Sequence, residues 1–185
     1  MPLYTPPEPF DLNIKTSANI LLGVSIGAGV GSVTFAAADS VVFVPFQVTR
    51  SFAATRMAAQ NGVTASGNPR LGIYDRGGVL LASTAATAMS GTNVPQVIAL
   101  STATTLSAGL YFMALSNSGT TGTYRAMETA ASVARLVMLG IRAADSGGIV
   151  TTPTIVDPTE TTPLSTAVGV PIFAVLAYGA SELAA

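Results

Sequence analysis

GNPRLGIYDRGGVLLAS, residues Gly67–Ser83, reads as a β-hairpin. Gly67-Asn68-Pro69 opens it, because Asn before proline favours turn initiation. Arg70–Arg76 follows with Leu71 and Ile73 on one face and Arg70, Gly72, Tyr74 and Arg76 on the other. Gly77-Gly78 supplies the pair tolerant of positive φ that a two-residue type I′ turn demands, and Val79–Ser83 returns. Asp75, beside this turn, reads as a turn-stabilising side chain rather than a ligand.

The stretches on either side carry the same signature. Val41–Thr49, VVFVPFQVT, is dense in β-branched and aromatic residues, and its Pro45 removes a ladder donor, which points to an edge strand or a bulge. Phe52–Gln60 reads as a strand closed by Asn61-Gly62 as a turn pair. Val94–Ser101 places Val94, Ile98 and Leu100 in phase. Gly109–Asn117 alternates Leu110, Phe112 and Ala114 with Tyr111, Met113 and Leu115, and apolar residues on both faces predict a central strand covered on both sides. Thr123–Met127 reads as a further short strand and Pro171–Tyr178, PIFAVLAY, as a last buried one. Short strands punctuated by turn residues predict an all-β chain, a single sandwich or jelly-roll-like domain over residues 12–185.

Two segments depart from that pattern. Glu128–Ala144 is alanine-rich, with Val133, Leu136, Val137 and Gly140 at helical spacing, so one short helix is expected there, although its LVMLGI also suits a strand. Ser146–Leu164 is a Thr/Pro/Gly loop, too polar and broken for a ladder. Ahead of the domain, Met1–Asp11 carries Pro2, Pro6, Pro7 and Pro9 and is expected to form an extended arm. A proline-rich terminus stays mobile unless something ties it down. Leu3, Tyr4, Pro6, Pro7 and Phe10 are the candidate assembly contacts of this arm.

The uncharged run Thr16–Ala38 is long enough to span a bilayer, and Gly23, Gly27 and Gly31 imitate the small-residue spacing of packed membrane helices. Its period argues otherwise. Ile20, Leu22, Val24, Ile26, Ala28 and Val30 alternate with Asn19, Gly23, Ser25, Gly27, Gly29 and Gly31, the period of a half-buried strand. Beyond Gly31-Ser32 the apolar parity shifts to Val33, Phe35 and Ala37, as a turn or bulge would cause. Each glycine would also cost a helix about 1 kcal/mol relative to alanine. The opening MPLYTPPEPF lacks the early positive charge of a signal peptide, so synthesis in the cytoplasm without export is expected.

Composition narrows the function. Hydrophobic residues make up 49% of the chain and charged residues only 9%, against roughly 25% charged in a typical soluble domain. The exterior must therefore consist largely of Ser, Thr, Ala, Gly and Asn. Two explanations follow: neighbouring subunits cover the surface, or it is the rugged exterior of a module carried on a larger particle. Disorder is excluded, since it requires low hydrophobicity and high charge. The net charge is −1, and the arginines Arg50, Arg56, Arg70, Arg76, Arg125, Arg135 and Arg142 are scattered rather than striped, which argues against nucleic acid.

Little catalytic chemistry is available. The chain has no histidine and no cysteine, so the usual general base, the commonest metal ligand and the thiol nucleophile are all missing. The carboxylates are spread singly, and Lys15 with Ser17 is a weak basis for a Ser-Lys dyad. The GAGVGS stretch lacks the Gly-Lys-Ser/Thr ending of a phosphate loop. No enzyme, cofactor or metal site is expected. Glycan binding is the sharper alternative, but sugars stack on exposed aromatic rings, and this chain has no tryptophan and 6% aromatics.

The succession VVFVPFQVTRSFAATRMAAQNG, SGNPRLGIYDRGGVLLAS and LSAGLYFMALSNS resembles a β-sandwich module of tailed-bacteriophage and prophage virion proteins. The resemblance spans about residues 35–127. It rests on Phe43, Pro45 and Phe46, on Gly67, Asn68, Gly72, Ile73, Tyr74, Asp75 and Gly78, and on Leu106, Gly109 and Tyr111. Together with Gly77, the glycines and Asx residues of this set are fold-defining turn positions. The motifs are structural and carry no catalytic residues over. The resemblance implies a virion component, in the tail, a fibre or the head surface. Its partners would be copies of itself, in a trimer or other cyclic set, and other virion proteins. The chain lacks the repetitive shaft of a whole fibre and the aromatic richness of a sugar-binding tip, which argues against receptor binding.

Overall fold

A computed structural model describes residues 31–126, 142–144, 147–154 and 173–176. The expected arm over residues 1–11, with Leu3, Tyr4, Pro6, Pro7 and Phe10, lies outside the described residues, as does the strand expected over Leu12–Val30.

The described chain is all-β. In order, its strands are β1 (Ser32–Val33), β2 (Val41–Val48), β3 (Phe52–Gln60), β4 (Pro69–Asp75) and β5 (Leu80–Ser83), then β6 (Pro95–Leu106), β7 (Gly109–Asn117), β8 (Tyr124–Arg125), β9 (Arg142–Ala144) and β10 (Phe173–Leu176). Three antiparallel sheets result: β5-β4-β7-β2-β9, β10-β3-β6 and the small pair β1-β8. The pleat sends Val42, Val44, Phe46 and Val48 of β2, Leu71 and Ile73 of β4, and Met113 and Leu115 of β7 into one core. There they meet Ala54, Met57 and Ala59 of β3, Ile98, Leu100 and Leu106 of β6, and Val175 of β10. Two sheets facing across a shared apolar layer make a sandwich. Val33 of β1 and Phe35 just beyond it close the same core, with Phe35 edge-on to Tyr124 at 5.7 Å.

The five-stranded sheet is apolar on its other face too. Val41, Phe43, Tyr74, Ala114, Ala144 and Ile149 form a second cluster there, joined by the partly buried Leu80 and Phe112. This is the environment expected for β7, which lies centrally between β4 and β2 with Met113 in one cluster and Ala114 in the other. Pro45 faces Phe112 of β7 across the ladder, while β9 pairs only with Val41–Phe43. The proline therefore occupies the half of β2 that the described part of β9 does not reach, a tolerable place for a residue without an N–H.

Several sequence expectations are corrected. Arg142–Ala144, the end of the expected helix, is strand β9, because pairing with Val41–Phe43 overrides helical spacing; the remainder, 128–141, lies outside the described residues. Asn61-Gly62 is no turn. Asn61 is fully buried and bridges Tyr124, extending β3 beyond Gln60. The hairpin turn is not type I′, since only Gly78 takes positive φ, at 82°. Gly78 N–H donates to Asp75 O at 3.1 Å and Asp75 N–H to Val79 O at 2.9 Å, which makes a three-residue loop with a bulge glycine. Asp75 does stabilise it, accepting from Val79 N–H through Oδ1 at 2.9 Å. Val94 is exposed rather than in phase with Ile98 and Leu100, and β6 runs on past Ser101 to Leu106.

That extension has a structural use. Ala54 pairs with Thr104 but Arg56 with Ala99, so β6 carries extra residues opposite Thr55. Leu100, within that bulge, bridges Thr84 at the end of β5. A bulge re-aims a strand, and here it brings an edge of one sheet onto the edge of the other.

Candidate functional site

Two features outside the sandwich core stand out: one end built of uncharged loops, and a strap laid across the outer face of the five-stranded sheet.

At the loop end, main-chain bonds tie three connections together. Gly62 N–H donates to Thr123 O at 2.7 Å, Asn93 N–H to Gly62 O at 2.7 Å and Met89 N–H to Gly67 O at 3.0 Å. Two buried asparagines complete the lock. Asn61 Nδ2 donates to Ser90 O at 2.7 Å, Gly91 O at 3.1 Å and Gln96 Oε1 at 3.1 Å. Asn117 Nδ2 donates to Ser66 O at 3.1 Å, and its Oδ1 accepts from Gly119 N–H at 3.3 Å. Gly67, at φ 79°, passes so close to Asn117 that no side chain could stand there. Asn68 holds Ser118 Oγ through Nδ2 at 3.1 Å. Burying asparagine is costly unless its amide is satisfied; the Asn61 Nδ2 bonds and both polar atoms of Asn117 offset that cost by fixing loops, whereas Asn61 Oδ1 is buried without a partner among the described residues.

None of residues 61–69, 84–96 and 117–123 carries a charge. Asp39 stands at the margin, with its N–H on Asn117 O at 2.8 Å. Val63 is 56% and Val94 42% exposed on this end. The opposite end holds Arg50, Asp75 and Arg76, and there Gly109 begins β7 beneath the Tyr111 ring. A rigid, polar, uncharged surface is suited to protein contact, since it loses little entropy on docking and buries no unpaired charge.

The strap is Gly147–Thr154. Gly148 N–H donates to Asp39 O at 2.8 Å, and Leu80 N–H donates to Thr151 O at 2.9 Å. Arg70 Nη1 holds Ile149 O at 2.9 Å, and Tyr74 Oη holds Val150 O at 2.8 Å. Between these clamps Ile149, 2% exposed, drops into a groove floored by Gly72 and walled by Phe43, Tyr74 and Leu80. Phe43 and Tyr74 meet edge-on at 5.2 Å. Burial pushes the Tyr74 phenol up to about 12, with Arg70 and the Val150 carbonyl pulling it partly back. The phenol thus stays a neutral donor. Burial likewise raises Tyr124, with the Asn117 side chain acting the other way.

The turn residues read from the sequence are divided between these two features and the hairpin tip. Gly67 and Asn68 belong to the loop end, Gly72 to the groove, and Asp75, Gly77 and Gly78 to the hairpin tip. Sequence reasoning missed Asn61, Asn117, Arg70 and Ile149, each of which acts through a partner at least thirteen positions away, as in Arg70 Nη2 on Ser83 Oγ. Tyr74 and Tyr124 are buried, and Tyr111 is half-buried against Phe46 with its Oη on Ser107 O at 3.0 Å, so all three rings are engaged within the domain. Among the described residues no group of three or more acidic side chains is placed to hold a metal, and no helix is long and apolar enough to cross a membrane. Comparison of the chain with family models, curated proteins and solved structures finds no match.

Proposed function

We propose that this chain is a non-enzymatic structural component of a bacteriophage virion, held on the particle by contacts with copies of itself and with other virion proteins. It serves as a head-surface decoration or a tail- or fibre-associated subunit. The observation that carries the reading is the uncharged loop end, rigid and partly apolar, on a chain with 9% charged residues. An exterior so poor in charge lacks the usual safeguard of a free monomer, and covering it with protein supplies another. Interfaces of standard size, about 1,600 Å², gain roughly 25 cal/mol per Å² of apolar area removed from water. The resemblance of residues 35–127 to virion sandwich modules points the same way.

A proline-rich arm adds reach, because an extended segment has little ordering entropy left to lose. The test is incorporation: deleting Met1–Phe10 abolishes assembly onto particles while the domain keeps its melting transition. A deletion variant that still incorporates at the full level contradicts the role of the arm, and a chain absent from cross-linked particles contradicts the reading as a whole.

A further inference from the structure

We infer that Asn61-Gly62 is a latent deamidation site, restrained by the hydrogen bonds of the loop end and converted to aspartate or isoaspartate only when that end opens. The inference goes beyond the proposed function and does not depend on it.

Asparagine before glycine is the pair most prone to this reaction, because glycine leaves the following main-chain nitrogen unhindered and free to turn. Asn61-Gly62 is the only such pair in the chain. The Gly62 nitrogen attacks Asn61 Cγ, a C–N bond forms, the Cγ–Nδ2 bond breaks, and ammonia departs with the proton that Gly62 gives up. Water then opens the five-membered imide at either carbonyl. The net change is amide plus water to acid plus ammonia, with no other reactant.

The fold calls for both members of this labile pair. Asn61 Nδ2 serves three acceptors, Ser90 O, Gly91 O and Gln96 Oε1. A Cβ on Gly62 would stand 2.5 Å from Thr123 Oγ1 and 2.9 Å from the Thr123 main-chain carbon, so a side chain has no room there. The same contacts restrain the reaction. Gly62 N–H, the nucleophile, is committed to Thr123 O at 2.7 Å. The leaving nitrogen is the one held by the three acceptors. Asn61 Oδ1, where charge gathers as the ring closes, is buried and meets no donor among the described residues, so it lacks the stabilisation that an oxyanion hole would supply. The bridge between Asn61 and Tyr124 also keeps the backbone extended, whereas ring closure needs it turned.

Once formed, the product does not fit. A carboxylate only accepts hydrogen bonds, and at position 61 it would face Ser90 O, Gly91 O and Gln96 Oε1 in a fully buried place. An unpaired buried charge is costly. Deamidation therefore turns a reversible opening of the loop end into a permanent one.

Peptide mapping by mass spectrometry tests this on the full chain, aged in mildly alkaline buffer with and without urea. Asn61 is expected to convert at least tenfold more slowly in the native chain than in the unfolded one, as for any group released only by opening. Equal rates overturn the inference. Gln96→Ala removes an acceptor of Asn61 Nδ2 and the partner of Ser90 N–H. It should speed conversion several-fold in buffer and leave the rate in urea unchanged. A folded Gln96→Ala chain that converts no faster than the unaltered one overturns control by the loop end. Should that variant not fold, Asn117→Ala, which frees Ser66 and Gly119 of the same end, is read in the same way. Converted chain separated by ion exchange should then show faster amide exchange at Met89 and Asn93, whose N–H groups bond Gly67 O and Gly62 O. Protection there equal to that of unconverted chain overturns the permanent opening.

Discussion

Gly72 lies directly beneath Ile149, with space for hydrogen and nothing larger: a Cβ on Gly72 would meet Ile149 Cγ2 at 2.9 Å, Leu80 Cδ1 at 3.1 Å and the Tyr74 ring at 3.1 Å. A glycine inside a strand costs stability through lost packing, and here the strap supplies the missing packing from above. Ile149→Ala should destabilise the domain by about 2–5 kcal/mol, the range for emptying a buried aliphatic site. Gly72→Ala should also destabilise, by crowding. Combined, the two should lose less than the sum of the singles, since the smaller side chain yields the space the new methyl needs. Urea unfolding of the four species measures the coupling; strict additivity would show that the two residues do not share a site.

The hairpin tip makes a second prediction. Gly78 at φ 82° bears the left-handed conformation, whereas Gly77 does not. Gly78→Ala should cost about 1 kcal/mol, and Gly77→Ala distinctly less, its new Cβ standing 3.3 Å from Asp75 Oδ1. Equal costs in thermal melts would restore a type I′ turn.

How much of this was legible in the sequence follows from the same hairpin. Leu71 and Ile73 declared their shared face by alternation alone, and the doubly apolar β7 declared its central place. Period two is a local property, so it survives in a single sequence. The turn type did not show, because Gly77-Gly78 satisfies both a two-residue and a three-residue loop, and the choice depends on whether Arg76 or Asp75 closes the ladder against Val79. Asn61 was misread for a related reason: Asn-Gly is a strong turn signal, yet partners at Ser90, Gly91 and Gln96 outweigh it. The strap was legible only as a loop. Nothing local to Ile149 announces a groove formed by residues more than seventy positions earlier, such as Arg70 and Tyr74.

The buried asparagines should behave as locks. Asn117→Ala removes the bond to Ser66 O and the acceptor for Gly119, both at part-buried main-chain groups, at a cost of about 1 kcal/mol. Amide exchange at Gly119 and around Ser66 should accelerate, while exchange at the hairpin tip stays unchanged. A uniform rise across the domain would mean that Asn117 supports global stability and not the loop end.

Alkali should loosen the fold in a defined window. Tyr74 titrates near 10 when unfolded and at about 12 when folded. Below pH 10 both states are protonated and its contribution to stability is fully present. Between pH 10 and pH 12 the unfolded state binds fewer protons than the folded one, so stability falls as pH rises. Tyr124, raised for the same reason, adds to the fall. Tyr74→Phe should flatten part of this slope and, by freeing Val150 O, cost about 1 kcal/mol at neutral pH. Denaturant midpoints measured across the window check the sign; stability that rises with pH would refute the burial of these phenols.

The central claim is that protein covers the uncharged exterior of this sandwich. Sedimentation velocity of the purified full chain in plain buffer tests it most directly. The account predicts a discrete closed oligomer that persists on dilution, with its loop end protected from hydrogen exchange relative to a dissociated variant. A single species at the monomer mass, 18.6 kDa, stable and soluble at high concentration, would contradict it.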